Sequence, residues 1–124
     1  MASIICGSLA FDTIMNFEGR FGEQILPDQL HILNVSFLVP ALRRDFGGCA
    51  GNIAYGLKLL GGTPLPMATV GLDGGGYLDR LKGQGISTEF VRTMDDSYTA
   101  QAMIITDRDN NQINGFHPGA MDYA

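Results

Sequence analysis

The sequence predicts an α/β protein that carries a second, smaller β-layer. Short apolar runs alternate with helical patterns along the 124 residues, an order that favours a parallel sheet with helices packed on it. Other segments, around 12–18, 31–46 and 98–116, alternate apolar and polar residues, as half-exposed strands do. We expect these segments to form a separate small sheet that covers something.

The first half of the chain predicts strands and then one helix. "SIICGSLAF" indicates a buried strand with Asp12 at its end, and "DTIMNFEG" a half-exposed strand. "NVSFLVPALRRDF" is rich in strand-forming residues and is broken at Pro40. The helix that follows carries one apolar stripe and can stop at Gly61 and Gly62. The stripe consists of Ala50, Ile53, Ala54, Leu57 and Leu60.

The second half predicts a strand, a helix and a hairpin. "TPLPMATVG" indicates another buried strand, and "GGGYLDRLKGQG" a short helix with apolar positions at Tyr77, Leu78 and Leu81. "YTAQAMIITD", "RDNN" and "QINGF" indicate a strand, a turn and a returning strand. "HPGAMDYA" has no clear pattern. With so few core strands we interpret the chain as the N-terminal part of a larger enzyme.

Composition argues against several classes of partner and site. The net charge is −5 and no basic stripe is present, which argues against nucleic acid and anionic membranes. No apolar run is long enough to span a bilayer, and no signal peptide is recognisable, so we expect a cytoplasmic protein with reduced Cys6 and Cys49. Asp107, Asp109 and Asn111 have the spacing of a calcium loop but lack its glycine and closing glutamate, which favours a polar turn.

The stretch "RRDFGGCAGNIAYGLKLLGG" is the strongest candidate for a binding site. Gly47 and Gly48 lie at the mouth of the predicted helix, where backbone N–H groups are free, and glycine lets a ligand approach them. Asn52 adds an amide, and Asp12 adds a carboxylate that can accept two neighbouring hydroxyls. This combination suits a polyhydroxylated ligand such as a sugar or ribose. The alternative, a tight turn without a ligand, is equally compatible with these residues.

A resemblance to a known family sharpens this hypothesis. "FGGCAGNIAYGLKLLGG", followed by "VGLDGGGYLDRLKGQGI", resembles the N-terminal signature of the ribokinase-like (PfkB) carbohydrate kinases. The likeness covers essentially the whole chain. "GRFGEQILPDQLHILNVSFLV" and "FHPGAM" are in addition similar to the bacterial adenosine kinases within that family.

The resemblance implies a fold and a set of site residues. The fold would be part of a Rossmann-type three-layer α/β sandwich with a β-sheet lid formed by segments about 12–46 and 96–117 of one kinase domain. Acceptor hydroxyls would be held by Asp12, with Ser8 beside it. The ribose site would be lined by Gly47, Gly48 and Asn52. Two further candidates are Phe116, to stack on a base or alternatively to pack in the core, and Ser36 on a lid strand.

The resemblance also implies an activity. The enzyme would transfer the γ-phosphoryl group of ATP, with Mg²⁺, to a hydroxymethyl group, most consistently as an adenosine kinase. A sugar kinase and a non-catalytic nucleoside-binding or interaction module are the alternatives. Cys49-Ala50-Gly51 replaces the lysine-containing stretch of ribokinases proper, which favours a nucleoside, whereas Ala102 and Met103 stand where a second aromatic residue would be expected.

The second signature of the family, an Asp-Thr-x-Gly-Ala-Gly-Asp-like stretch with the catalytic base, is absent. We therefore expect no catalytic residue in this chain, most ATP and Mg²⁺ contacts outside it, and no kinase activity of the chain alone. A homodimer through the lid is a further expectation.

Overall fold

The computed structural model describes all residues from 1 to 124 and shows seven strands and three helices. The strands are β1 (Ala2–Cys6), β2 (Ala10–Asn16), β3 (Ala41–Gly47), β4 (Thr63–Val70), β5 (Val91–Thr93), β6 (Ala100–Thr106) and β7 (Gln112–His117). The helices are α1 (Phe21–Gln24), α2 (Cys49–Leu59) and α3 (Gly75–Gly83), and short 3₁₀ turns lie at Pro27–Gln29 and Gly119–Tyr123. No helix is long and apolar enough to cross a membrane.

The main sheet is parallel and has the order β1-β4-β5, which confirms the predicted α/β class. Its core lies against α2 and α3 and includes Leu9, Val70, Leu81 and Ile86. The prediction of a buried first strand is wrong for β1, where only Ile5 is partly buried. Helices α2 and α3 cover one face of this sheet. The residues of β1 that point to the other face are therefore exposed.

A second sheet of four strands, in the order β3-β2-β6-β7, confirms the predicted small β-layer. Its two central strands, β2 and β6, run parallel, and each has an antiparallel neighbour at the outer edge. β2 follows β1 after only a short turn, and β3 leads through Gly48 into α2. The two sheets are thus joined where the predicted site residues lie.

Helix α2 forms where the periodicity predicts it, but its buried face is narrower than the predicted stripe. Ala50, Gly51 and Ala54 are buried, whereas Leu60 is 87% exposed. The buried residues are all small, which lets the first half of the helix approach the sheet closely. Gly61 has a φ of 84° and ends the helix in the left-handed conformation, as predicted.

The strand predicted before Pro40 is absent. Residues 34–39 have no regular structure, because the ladder of β2 with β3 ends at the pair Asn16 and Ala41 and no other strand is available to them. Ser36 therefore lies outside the second sheet, and its predicted place on a lid strand is wrong. The short strand β5 was not predicted, because a three-residue segment carries no periodicity.

The hairpin of β6 and β7 confirms the prediction from "RDNN", and Asp107 organises its turn. This buried carboxylate accepts hydrogen bonds from the backbone N–H of Asp109 (3.0 Å) and Asn111 (2.9 Å) and from the Asn111 amide (3.2 Å). A fourth comes from the N–H of Phe21 at the start of α1 (3.0 Å). The spacing that resembles a calcium loop thus serves a polar turn.

Candidate functional site

The start of α2 is capped by Ser8, which follows β1. Its carbonyl oxygen accepts hydrogen bonds from the N–H groups of Ala50 (3.0 Å) and Gly51 (3.4 Å), and its hydroxyl accepts one from the N–H of Cys49 (3.1 Å). Most N–H groups expected to be free for a ligand are therefore satisfied within the protein. The N–H of Gly48 is the exception, because it has no protein acceptor within hydrogen-bonding distance.

The two glycines at this turn are required for different steric reasons. Gly48 has a φ of 90°, and a Cβ there would collide with the carbonyl oxygen of Ser8. Gly47 has ordinary strand geometry, but its missing side chain leaves the space that the Asp12 carboxylate occupies. The sequence "GG" therefore brings Ser8, Asp12 and the helix start into direct contact, as the glycine pattern suggested.

Asp12 lies inside β2, as its third residue, and the predicted position at the end of the first strand is wrong. The chain leaves β1 at Cys6 and turns through Gly7 and Ser8 before β2 begins. The carboxylate of Asp12 is half-buried and makes no hydrogen bond or ion pair with the protein. It is thus an acceptor with unused hydrogen-bonding capacity, next to Gly47 and one residue from the free N–H of Gly48.

Phe116 shares a face of the second sheet with Asp12. The register places Asp12 opposite Ala102, and Ala102 opposite Phe116, so the three side chains form one row across β2, β6 and β7. Two strand spacings separate the ends of the row, roughly 10 Å. Phe116 is 57% exposed, which contradicts the alternative that it packs in the core. Ala102 leaves the space between them open, and Met103 points to the other face.

Asn52 lies one turn into α2 and donates its backbone N–H to the carbonyl of Gly48 (3.0 Å). Its side chain lines a cavity of about 180 Å³, whose walls include neither Ser8, Asp12, Gly47 nor Gly48. The cavity is lined by Phe46, Gly51, Asn52, Tyr55, Tyr77, Arg80, Leu81 and Gln84. The structure therefore brings Ser8, Asp12, Gly47 and Gly48 together and leaves Asn52 at their border. Ser36 makes no hydrogen bond with any of them.

Tyr77 is a residue whose role sequence analysis missed. The pattern indicated only an apolar position on α3, yet its hydroxyl donates a hydrogen bond of 2.6 Å to the carbonyl of Gly47. Burial raises the pKa of Tyr77 to about 12; nearby Arg80 opposes this effect and the negative charge of Asp12 adds to it. A tyrosine at a buried helical position was the available signal, since a buried hydroxyl requires a partner.

Asp73, from "VGLD", joins the two sheets. Its carboxylate accepts a hydrogen bond of 2.7 Å from the N–H of Thr99, just before β6, and lies 3.8 Å from the guanidinium of Arg44 on β3. The Thr99 hydroxyl in turn accepts the N–H of Gly71 (2.9 Å). These contacts fix the start of β6 and the middle of β3 against the segment that follows β4.

Cys49 is the first residue of α2 and carries a free thiol, as does Cys6. The sulfur accepts the N–H of Ser8 at 3.4 Å and lies 3.5 Å from its hydroxyl. These contacts with Ser8 lower the pKa of the Cys49 thiol, although partial burial opposes them. The reduced state of both cysteines in the cell stays a prediction.

Three comparisons place the chain among known proteins. The model of the pfkB family carbohydrate kinases matches residues 20–124. A nucleoside kinase of Methanocaldococcus jannaschii is 37% identical over 97% of this chain, which spans 37% of that protein. The ligand-free structure of a Burkholderia thailandensis nucleoside kinase is 62% identical and matches 98% of the chain with a TM-score of 0.80.

The structure of the Burkholderia kinase in complex with ADP-inosine, at the same 62% identity over 97% of the chain, gives a TM-score of 0.68. This chain spans 40% of the ligand-free chain and 38% of the complexed one. The present fold is therefore more similar to the ligand-free form of that protein than to its complex with ADP-inosine.

Proposed function

Since the chain belongs to the pfkB family of carbohydrate kinases, we propose that it carries the phosphoryl-acceptor site of a nucleoside kinase, with adenosine as the acceptor. The row formed by Asp12, Ala102 and Phe116 carries this proposal. A carboxylate at one end suits vicinal ribose hydroxyls, and an exposed aromatic ring at the other suits a base. Their separation of roughly 10 Å is compatible with one nucleoside that spans both.

The polar groups of the site that have no partner in the protein suggest how the acceptor is bound. The ribose hydroxyls donate to the Asp12 carboxylate, and the N–H of Gly48 donates to a ribose oxygen. The second sheet then acts as a lid over the ligand. Phosphoryl transfer depends largely on such positioning and on charge stabilisation. In this scheme the chain fixes the acceptor hydroxymethyl group.

ATP and Mg²⁺ complete the proposed reaction, in which the γ-phosphoryl group of ATP passes to the hydroxymethyl group of the nucleoside. No three His, Cys, Asp or Glu side chains of this chain come together as a metal site. The sequence also lacks a phosphate-binding P-loop. We propose that most contacts to ATP and Mg²⁺, and the catalytic base, belong to a part of the kinase outside these residues, and we expect the chain alone to phosphorylate nothing.

A sugar kinase of the same family is the competing proposal. The Burkholderia kinase has been solved in complex with inosine, and a base, which a free sugar lacks, could stack on the exposed ring of Phe116. Both points favour a purine nucleoside. A non-catalytic nucleoside-binding module would use the same row of residues, so binding and turnover have to be measured separately.

Calorimetric titration of the chain with adenosine, inosine and ribose tests the proposal. We expect adenosine to bind, and Asp12→Asn to weaken it about tenfold or more, because the amide replaces two acceptors with one and loses the charge. Asp109→Asn, at the hairpin turn, is the matched control and should leave binding unchanged. If the wild-type chain binds none of the three ligands, or if Asp12→Asn binds as well as the wild type, the assignment of the site is wrong.

A further inference from the structure

The peptide bond between Gly47 and Gly48 has one occupied and one free polar group. Its carbonyl oxygen accepts the hydroxyl of Tyr77 at 2.6 Å, whereas its N–H has no protein partner. No peptide bond in the chain is cis, so this N–H and this carbonyl point in opposite directions. The N–H of Gly48 is therefore directed away from Tyr77.

The side away from Tyr77 is the side of Asp12. Tyr77 is 2% exposed and packs against the rings of Phe11 (5.8 Å between centroids) and Phe46 (5.1 Å). Phe11 precedes Asp12 in β2, and successive side chains of a strand point to opposite faces. The carboxylate of Asp12 therefore lies on the face opposite to Tyr77 and against Gly47, whose peptide bond carries the free N–H of Gly48.

We propose that Tyr77 is a positioning residue of the acceptor site, whose hydroxyl holds the Gly47–Gly48 peptide so that the Gly48 N–H faces a ligand bound by Asp12. Without the hydroxyl, this glycine-glycine peptide has little to prevent rotation, because glycine has access to a wide range of backbone angles. A rotated peptide would present its carbonyl oxygen beside the carboxylate instead of a donor. The identity of the ligand rests on the proposed function, but the effect on the peptide does not.

Gly51 supplies independent evidence for this contact. A Cβ at Gly51 would overlap the hydroxyl of Tyr77, so the missing side chain on α2 is what allows the hydroxyl to reach Gly47. The hypothetical Cβ would be 3.1 Å from the ring carbon that carries the hydroxyl and 3.2 Å from Leu9, contacts that small shifts can relieve. Gly51→Ala should therefore displace the hydroxyl when Tyr77 is present and weaken ligand binding. In the Tyr77→Phe background, where there is no hydroxyl to displace, Gly51→Ala should weaken binding much less.

The experiment is a double-mutant cycle on the full chain with adenosine as the probe. We expect Tyr77→Phe to raise the Kd about five- to tenfold, the loss of about one hydrogen bond. Gly51→Ala should raise the Kd in the Tyr77 background by a larger factor than in the Tyr77→Phe background. Tyr98→Phe is the matched control, because its exposed hydroxyl has no protein partner, and its Kd should equal that of the wild type.

The backbone amide resonance of Gly48 provides a readout that does not require a ligand. It should shift in Tyr77→Phe and stay in place in Tyr98→Phe. An unchanged Gly48 resonance, or a lower Tm of Tyr77→Phe with an unchanged Kd, would overturn the positioning role and leave Tyr77 as a packing residue. If the wild type binds no nucleoside while the Gly48 resonance shifts, the held peptide is supported and only the proposed function fails.

Discussion

Phe116 and Asp12 divide the proposed acceptor site between base and sugar, and this division can be tested one residue at a time. Phe116→Ala removes the exposed ring while leaving the strand pairing of β7 intact. Stacking of a base on an aromatic side chain is worth about 1–3 kcal/mol, so the affinity for adenosine should fall about tenfold or more. The affinity for ribose should not change, since ribose has no base. Titration of both ligands on both proteins measures the difference.

Phe90→Ala is the control for this prediction, because Phe90 is also a partly exposed ring but lies beside β5, on the main sheet. Its adenosine affinity should match that of the wild type. An equal loss of adenosine and ribose binding in Phe116→Ala would mean that the ring supports the sheet and does not contact a base. The sugar-kinase alternative would then gain support.

Individual site residues could be predicted from the sequence to the extent that their chemistry is local. Gly47 and Gly48 precede a periodic helix, so a close backbone approach there was predictable, and the structure shows it with Ser8 and Asp12 as the neighbours. The bond from Tyr77 to Gly47 joins residues thirty positions apart, and no spacing rule connects them. The prediction that Ser36 lies on a strand failed for a related reason, since a segment with a strand-like sequence forms a strand only when a partner strand lies beside it.

At the scale of elements, Asp107 ties the hairpin of β6 and β7 to α1. Burial by itself raises the pKa of this carboxyl, but the hydrogen bonds from Phe21, Asn111 and Asp109 outweigh it and lower the pKa below its ordinary value. A lowered pKa means that the contact stabilises the fold above the unfolded-state value of about 3.9, and that this stabilisation is lost as pH falls below it. The contact should therefore be intact at neutral pH and lost in acid.

Hydrogen exchange of the hairpin amides between neutral and acidic pH measures this effect. We expect Asp109 and Asn111 to lose protection below about pH 4, ahead of the β4 amides. Asp107→Asn should show reduced protection at every pH, because a neutral amide cannot accept all four bonds. Asp109→Asn removes only an exposed ion pair with Arg20 and should behave as the wild type. Hairpin protection that does not depend on pH would contradict the assignment.

Elements were predictable where periodicity extended over enough residues. The alternation in β2, β6 and β7 and the helical pattern of α2 both appear in the structure at the expected places. The burial of β1 was not predictable, because a short apolar run is the same whether one or both faces of its sheet are covered. Which face of α2 contacts the sheet also depended on packing, since Ala50, Gly51 and Ala54 allow a closer approach than Ile53 would.

At the scale of the whole molecule, the second sheet has two exposed edges, and the part of its apolar face that Tyr77 does not cover is exposed. Leu42 (65% exposed), Met103 (50%) and Ile113 (42%) lie on the face opposite to Asp12 and Phe116. The edge strands β3 and β7 also leave backbone groups unpaired. We propose that this surface pairs with the same surface of a second chain, which leaves the face of Asp12 free for the ligand.

Light scattering during size-exclusion chromatography tests this dimer. The wild-type chain should elute with twice the mass of one chain, and Ile113→Glu should elute as a monomer, because it buries a charge in the apolar interface. Gln112→Glu adds the same charge at the adjacent residue but on the opposite face of β7, so it should remain dimeric. Because the two faces are separate, Ile113→Glu should still bind adenosine. A monomeric wild type would contradict the dimer, whereas a monomeric Gln112→Glu would point to an edge-to-edge contact of β7 in place of the apolar face.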